Sequence, residues 1–213
     1  MSDVRFLDWG QVEYSKALDQ QKELLKLRQE DKIIDTFIFC EHPAVITVGR
    51  GKPKEGELPF LPPAHIPVVN VERGGLATYH GPGQLVCYPI VRLAPQGQTQ
   101  FPGGIVQFIR FLEDWMIRVL KEFDVNAWHI EKKTGVWVGD KESPKKIASI
   151  GIAVSHWVTY HGLAFNFATG PAAWRSFNPC GLSGELMTDL KELTNKAPSY
   201  EELRALFVSR FNS

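Results

Sequence analysis

Apolar side chains return at three- and four-residue steps through Tyr14, Ala17, Leu18, Leu24 and Leu25, with Gln21 and Arg28 on the same stripe; this is the spacing of an amphipathic helix. Two apolar runs, Asp35 to Cys40 and Ala44 to Arg50, then predict strands broken at His42-Pro43. Residues 51–67 carry Pro53, Pro59, Pro62, Pro63 and Pro67 and predict a surface loop, because strand-like sequence resumes at once with Pro67-Val68-Val69-Asn70-Val71. A glycine-rich segment over 72–84 leads to a strand from Leu85 to Val91 and then to a loop with Pro95, Gly97, Pro102, Gly103 and Gly104. Ile105, Phe108, Ile109, Leu112, Trp115, Met116, Val119, Leu120 and Phe123 share one face and predict the clearest helix of the chain.

Short strands follow at Asn126–Ile130 and Gly135–Val138. Two longer ones, Ile147–Ser155 and Trp157–Phe167, read as antiparallel neighbours. Ser199-Tyr200-Glu201-Glu202 is a capping-box pattern, and Tyr200, Leu203, Leu206, Phe207 and Phe211 give the last helix its apolar stripe. Strands outnumber helices without alternating regularly with them. The expected fold is α+β: a mixed, mostly antiparallel sheet packed with helices on one face, in a single domain over 1–213.

Composition narrows the partners. The 213 residues are 44% hydrophobic and 11% aromatic, enough for a sizeable core. With 24 basic and 24 acidic side chains there is no global field to draw nucleic acid or an anionic membrane. Three cysteines make no disulfide framework, and no Cys/His spacing matches a metal site. Met1-Ser2-Asp3-Val4-Arg5 lacks a signal pattern, and no apolar run approaches ~20 residues. The reading is a reduced, cytoplasmic protein without metal or cofactor.

Three segments carry candidate chemistry. Cys180 stands in Phe177-Asn178-Pro179-Cys180-Gly181-Leu182, away from any apolar run, unlike Cys40 in Thr36-Phe37-Ile38-Phe39-Cys40. A proline before it and a glycine after it suit a thiol at the tip of a turn, although a small buried turn residue accounts for the hexapeptide equally well. The run Arg73-Gly74-Gly75-Leu76-Ala77-Thr78-Tyr79-His80-Gly81-Pro82-Gly83-Gln84 forfeits packing area in return for backbone that can approach a ligand. It has neither a phosphate-loop ending nor dinucleotide spacing, so a non-nucleotide ligand fits better. Thr-Tyr-His-Gly occurs at Thr78–Gly81 and again at Thr159–Gly162; a lone histidine is more often structural, but two before glycines suggest similar corners walling one cleft.

The third segment is Lys145-Lys146-Ile147-Ala148-Ser149-Ile150-Gly151, where Lys146 opens an apolar strand. It is either a strand-end lysine reaching for water or a partner for Cys180. A free thiol titrates near ~8.5, and lowering that to ~7 takes about 2 kcal/mol, within reach of one ammonium in a partly dry site.

Together these segments resemble the lipoyl(octanoyl) transferases of the biotin/lipoate protein ligase superfamily. The resemblance rests on Arg73-Gly74-Gly75 with Thr78 to Gln84, on Gly135-Val136-Trp137-Val138, on Lys146 to Gly151, on Trp157 to Ala164 and on Asn178-Pro179-Cys180-Gly181. Leu186-Met187-Thr188-Asp189-Leu190 departs from the family's Val-Thr-Ser-Leu type run.

The resemblance implies the superfamily's catalytic-domain fold. It also implies transfer of an octanoyl group from octanoyl-acyl carrier protein to a lysine of lipoyl domains, in 2-oxoacid dehydrogenase complexes or the glycine cleavage protein. Cys180 matches the acyl-accepting cysteine and Lys146 the lysine that activates it. The matching acyl-site positions are Arg73, Gly74, Gly75, Leu76, Ala77, Thr78, Tyr79, His80, Ser149, Ile150, Gly151, Gly162, Leu163 and Ala164. Leu76, Ala77, Tyr79, Ile150, Leu163 and Ala164 are the expected lining of an apolar slot. Carrier proteins are generally acidic, so Lys132, Lys133, Lys141 and Lys145, then Lys52 and Lys54, are candidate contacts. The alternatives left open are an ATP-dependent lipoate or biotin ligase, a Cys/His acyltransferase or hydrolase using His80 or His161, and a non-covalent acyl-binding module.

Overall fold

The computed structural model describes residues 4–51, 62–93, 101, 104–170, 172–175, 184–194 and 198–212. Strand β1 (Arg5–Gln11) and helix α1 (Tyr14–Gln29) lead into β2 (Thr36–Glu41), β3 (Val45–Val48), β4 (Val68–Asn70), β5 (Ala77–His80) and β6 (Gln84–Ile90). Helix α2 (Ile105–Lys121) precedes the meander β7 (Ala127–Ile130), β8 (Lys133–Gly139), β9 (Pro144–Ser155) and β10 (Val158–Asn166). Short helices α3 (Ala172–Arg175) and α4 (Leu190–Thr194), with a 3-10 turn at Gly184–Leu186 between them, come before α5 (Tyr200–Ser209).

Seven strands form the main sheet in the order β1-β2-β6-β10-β9-β8-β7. Only β1 and β2 run parallel in it; the other neighbours are antiparallel. The expected pairing of the two longest strands holds, with Gly162 opposite Gly151 and Ala164 opposite Ser149. A second sheet, β4-β3-β5, pairs Thr47 with Thr78. Two of its members were hidden in the pattern or shortened by it: β5 lies inside the glycine-rich segment, and β4 spans only Val68–Asn70. Strand β1 was not expected at all. It is an edge strand whose apolar side chains are only half buried, so its alternation is faint.

The expectation that helices cover one face is corrected by the packing. Phe37 and Phe39 of β2 and Leu85 and Cys87 of β6 pack with Trp115 of α2 and Phe207 of α5. Ile38, Cys40, Val86 and Tyr88 point the other way and pack with Ala17 of α1. Successive residues of a strand face opposite sides. A strand with an unbroken apolar run, Phe37 to Cys40 in β2 and Leu85 to Ile90 in β6, must therefore be covered on both. Phe37, Phe101, Trp115, Phe207 and Phe211 form an aromatic cluster within this core.

A buried polar seam joins the two sheets. Gln84 donates to the Tyr79 carbonyl at 3.2 Å and to Asn166 Oδ1 at 2.9 Å, and accepts from His80 Nδ1 at 2.8 Å. With Nδ1 donating, Nε2 of His80 accepts from Thr47 Oγ1 at 3.4 Å, and Thr47 in turn accepts from Arg73 Nη2 at 2.8 Å. Asn166 Nδ2 donates to the Thr188 carbonyl, and the Thr188 amide donates to the Lys146 carbonyl, both at 3.1 Å. His42 is held between the Val12 carbonyl at 2.7 Å and the Tyr88 hydroxyl at 2.6 Å. Burial holds the histidines of this region neutral. It pushes His80 well below the ordinary histidine range and His161 down to about 4, with Arg73 adding to the effect in both.

Stability should therefore fall as pH drops from about 6.5 towards 4. The unfolded histidine gains its proton across that window, and the folded His161 does not until about 4. For His161 alone this is a loss of about 3 kcal/mol at pH 4, complete retention lying above about pH 6.5. Urea titrations at stepped pH check it, because His161→Gln should flatten this limb of the profile. Separately, Ser199 accepts from the Glu202 amide at 3.2 Å and Glu202 from the Ser199 amide at 2.8 Å, so the expected capping box is formed. Ser199→Ala should cost about 1 kcal/mol, seen as a fall of about 2–4 °C in Tm.

Candidate active site

Lys146 reaches its position through a β-bulge. Trp137 of β8 stands opposite Lys146 and Val136 opposite Ala148, so β9 carries one residue more, Ile147, than its partner. Ile147 and Ala148 both sink into the core beneath α2 and α5. Three residues apart, Lys146 and Ser149 would face opposite sides of a regular strand. The bulge re-aims the lysine, and both line the same cavity.

That cavity measures about 480 Å³ with its open mouth included. Its wall is Lys146, Ser149, Ile150 and Gly151 of β9; His161, Gly162, Leu163 and Ala164 of β10; Val86 and Tyr88 of β6; Arg73, Gly74, Gly75, Thr78 and His80; and Tyr14 of α1. Lys146 marks one end, and Gly151 lies five residues along β9, at most about 16 Å at ~3.3 Å per residue. The other end is polar, with Arg73, His161 and Tyr14, whose hydroxyl is 3.5 Å from His161 Nδ1. Between them the walls are mostly apolar or small.

Most positions named from sequence meet here, and three do not. Ala77 and Tyr79 pack with Ile46, Trp174 and Met187 on the far side of the small sheet. β5 turns its even positions, Thr78 and His80, to the cavity, so the expectation that Ala77 and Tyr79 line the slot yields to strand alternation. Leu76, just before β5, is not part of the wall and lies near Gly51. The two Thr-Tyr-His-Gly copies do bring His80 and His161 to one cavity, but not by similar corners: His161 has φ +56° and His80 sits in regular strand. Sequence reasoning missed Tyr14, Val86 and Tyr88. The helical stripe had Tyr14, and the strand period places Val86 and Tyr88 on one face, but nothing local showed which face held the cavity.

The environment of Lys146 is unusual for a charge. The side chain is 6% exposed, and its ammonium lies 5.5 Å from the centroid of the Trp137 ring. Among the described residues no carboxylate pairs with it. A cation–π contact offers about 0.5–2 kcal/mol, less than the desolvation of an ammonium usually demands. The site therefore favours an anion beside Lys146. Met187 bridges to Lys146 in parallel fashion, so the chain that follows the Cys180 segment returns to the sheet at this point.

Cys180 itself lies outside the described residues, as do Lys52 and Lys54. The other two thiols, Cys40 and Cys87, are buried, and burial pushes both well above the ordinary cysteine range, where a thiol is inert. Neither cavity histidine is suited to act as a base, one titrating near 4 and the other well below its ordinary value with both ring nitrogens engaged. Lys132, Lys133, Lys141 and Lys145 are exposed, interspersed with Glu131, Asp140 and Glu142. Among the described residues no cluster of three or more His, Cys, Asp or Glu could hold a metal ion, and no helix is long and apolar enough to cross a membrane.

Comparison with known proteins gives the family and the fold. Residues 13–212 match the model of the lipoyl protein ligase A/B catalytic domain. An octanoyltransferase of Caldicellulosiruptor bescii is 44% identical over 91% of this chain and 83% of its own length. One from Bdellovibrio bacteriovorus is 36% identical over 91% and 90%. Among solved structures, a putative lipoate protein ligase from T. acidophilum with bound lipoic acid superposes with a TM-score of 0.70 at 15% identity, over 98% of this chain and 84% of the other. The fold is thus that of lipoate ligases, and with matches of this length the chain belongs to the lipoyl protein ligase A/B catalytic domain family.

Proposed function

We propose that this protein is an octanoyltransferase. It moves an eight-carbon acyl group from octanoyl-acyl carrier protein onto Cys180, and from there to a lysine of a lipoyl domain. The acceptors are lipoyl domains of 2-oxoacid dehydrogenase complexes or the glycine cleavage protein. One observation carries the reading: a buried ammonium, Lys146, with an indole but no carboxylate beside it among the described residues, stands at the end of a mostly apolar slot. The thiolate of Cys180 is the anion that such a site calls for. Relatives named octanoyltransferases, 36% and 44% identical over nine tenths of the chain, support the substrate.

The chemistry balances without an external energy source. The Cys180 thiolate attacks the donor thioester, the carrier's sulfur leaves, and Lys146 gives that sulfur its proton. One thioester has replaced another. The acceptor's amine then attacks the acyl-cysteine, its proton returns to Lys146, and the Cys180 thiolate departs as the amide forms. Two half-reactions let two bulky proteins use one site in turn, with ping-pong kinetics. The acyl chain lies along Ser149, Ile150 and Gly151 against Gly162, Leu163 and Ala164, roofed by Arg73, Gly74, Gly75, Thr78 and His80. The low proton affinity of His80 and His161 weighs against a histidine-based variant of the mechanism.

Incubation with octanoyl carrier protein in the absence of ATP should give an acyl adduct that peptide mass spectrometry places on Cys180, and Cys180→Ala should abolish it. Lys146→Ala should slow adduct formation by about 10²–10⁴-fold. Acylation that requires ATP and free octanoate, while ignoring the thioester, would instead make the protein a ligase. An adduct that persists in Cys180→Ala would refute the covalent route.

A further inference from the structure

A carboxylate on the far side of the sheet is bonded to the same residue, Gly135, that the lysine side chain passes. Glu113 of α2 is completely buried, and its Oε1 accepts from the Gly135 amide at 2.8 Å. Its other oxygen pairs with Arg110. Gly135 has φ +121°, a conformation that other residues avoid. A Cβ on it would stand 2.5 Å from Lys146 Cε, 3.2 Å from Lys146 Nζ and 2.4 Å from the Ala148 carbonyl. The stem of the lysine therefore runs against bare backbone at this one residue, and Trp137 bounds its ammonium beyond. Glycine is the residue least able to hold its own backbone in place. The buried carboxylate supplies the restraint.

We propose that Glu113 is a positioning residue for Lys146: by fixing the Gly135 peptide it holds the surface against which the lysine side chain is aimed. An apolar side chain would fill the space under the sheet without penalty from a buried charge, so core packing alone does not ask for a carboxylate here. A displacement of about 1 Å in a reacting group costs on the order of 10²-fold in rate. The inference rests on the proposed role of Lys146 in activating Cys180.

The test compares single-turnover acylation of Cys180 by octanoyl carrier protein across variants, with rates referred to the folded fraction from circular dichroism. Glu113→Met keeps volume but loses the acceptor, and should slow acylation on the order of 10²-fold with the KM for the donor unchanged. Glu113→Asp, which stays charged but falls short of Gly135, should be slowed in the same sense. Glu113→Gln keeps an oxygen for the Gly135 amide and should recover most of the rate. If Glu113 acts through Lys146, then Glu113→Met should add nothing in the Lys146→Ala background.

Parental rates in both Glu113→Met and Glu113→Asp would overturn the inference, as would losses that multiply in the double variant; a slow Lys146→Ala in the same assay would leave the octanoyltransferase reading standing. A Lys146→Ala variant as fast as the parent would bring down both.

Discussion

Strand β9 holds one residue more than β8 between Ala148 and Lys146, and the arrangement of the whole site follows from it. The extra residue, Ile147, goes into the core with Ala148, so the lysine emerges on the same face as Ser149 and Gly151. That face is also where the second sheet and α1 stand. Had the strand been regular, the Lys146 side chain would have pointed into the aromatic core beneath α2.

The rest of the fold supplies walls. The central strands are apolar on both faces, which calls helices to each side and leaves the sheet as a partition. One compartment, under α2 and α5, is closed by aromatic packing. The other is shared between α1 and the small sheet, and its leftover volume is the cavity. The polar seam from Arg73 through Thr47, His80, Gln84, Asn166 and Thr188 to the Lys146 backbone ties the small sheet to the large one. Each of its members has partners, so its polarity stiffens the wall instead of weakening it. Thr78 Oγ1, Ser149 Oγ and His161 Nε2 are buried at the cavity without a hydrogen-bond partner among the described residues.

Much of this was legible beforehand. The helical stripes of α1, α2 and α5, the capping box at Ser199 and the β9–β10 pair all follow from local period, which survives burial because it depends only on the residues concerned. What escaped was the edge strand β1, whose apolar positions are half exposed, and β5, whose short alternation was masked by surrounding glycines. The placement of Ala77 and Tyr79 away from the cavity has the same root: the strand inside the glycine-rich segment was not expected, and a strand sends alternate side chains apart.

The amino-acid order by itself determined the fold class, and its motifs, through the family they resemble, singled out Cys180, Lys146 and the segments of which Arg73, Gly74, Gly75, Thr78, His80, Ser149 to Gly151 and Gly162 to Ala164 line one cavity. These are matters of residue type and spacing, carried by motifs that stay recognisable out of context. Only the tertiary structure decided that Lys146 faces inward, that Tyr14, Val86 and Tyr88 complete the wall, and that Glu113 stands behind Gly135. Those outcomes depend on which way a bulged strand turns and on what lies across a sheet. Such contacts join residues distant in the chain, and no local pattern encodes them.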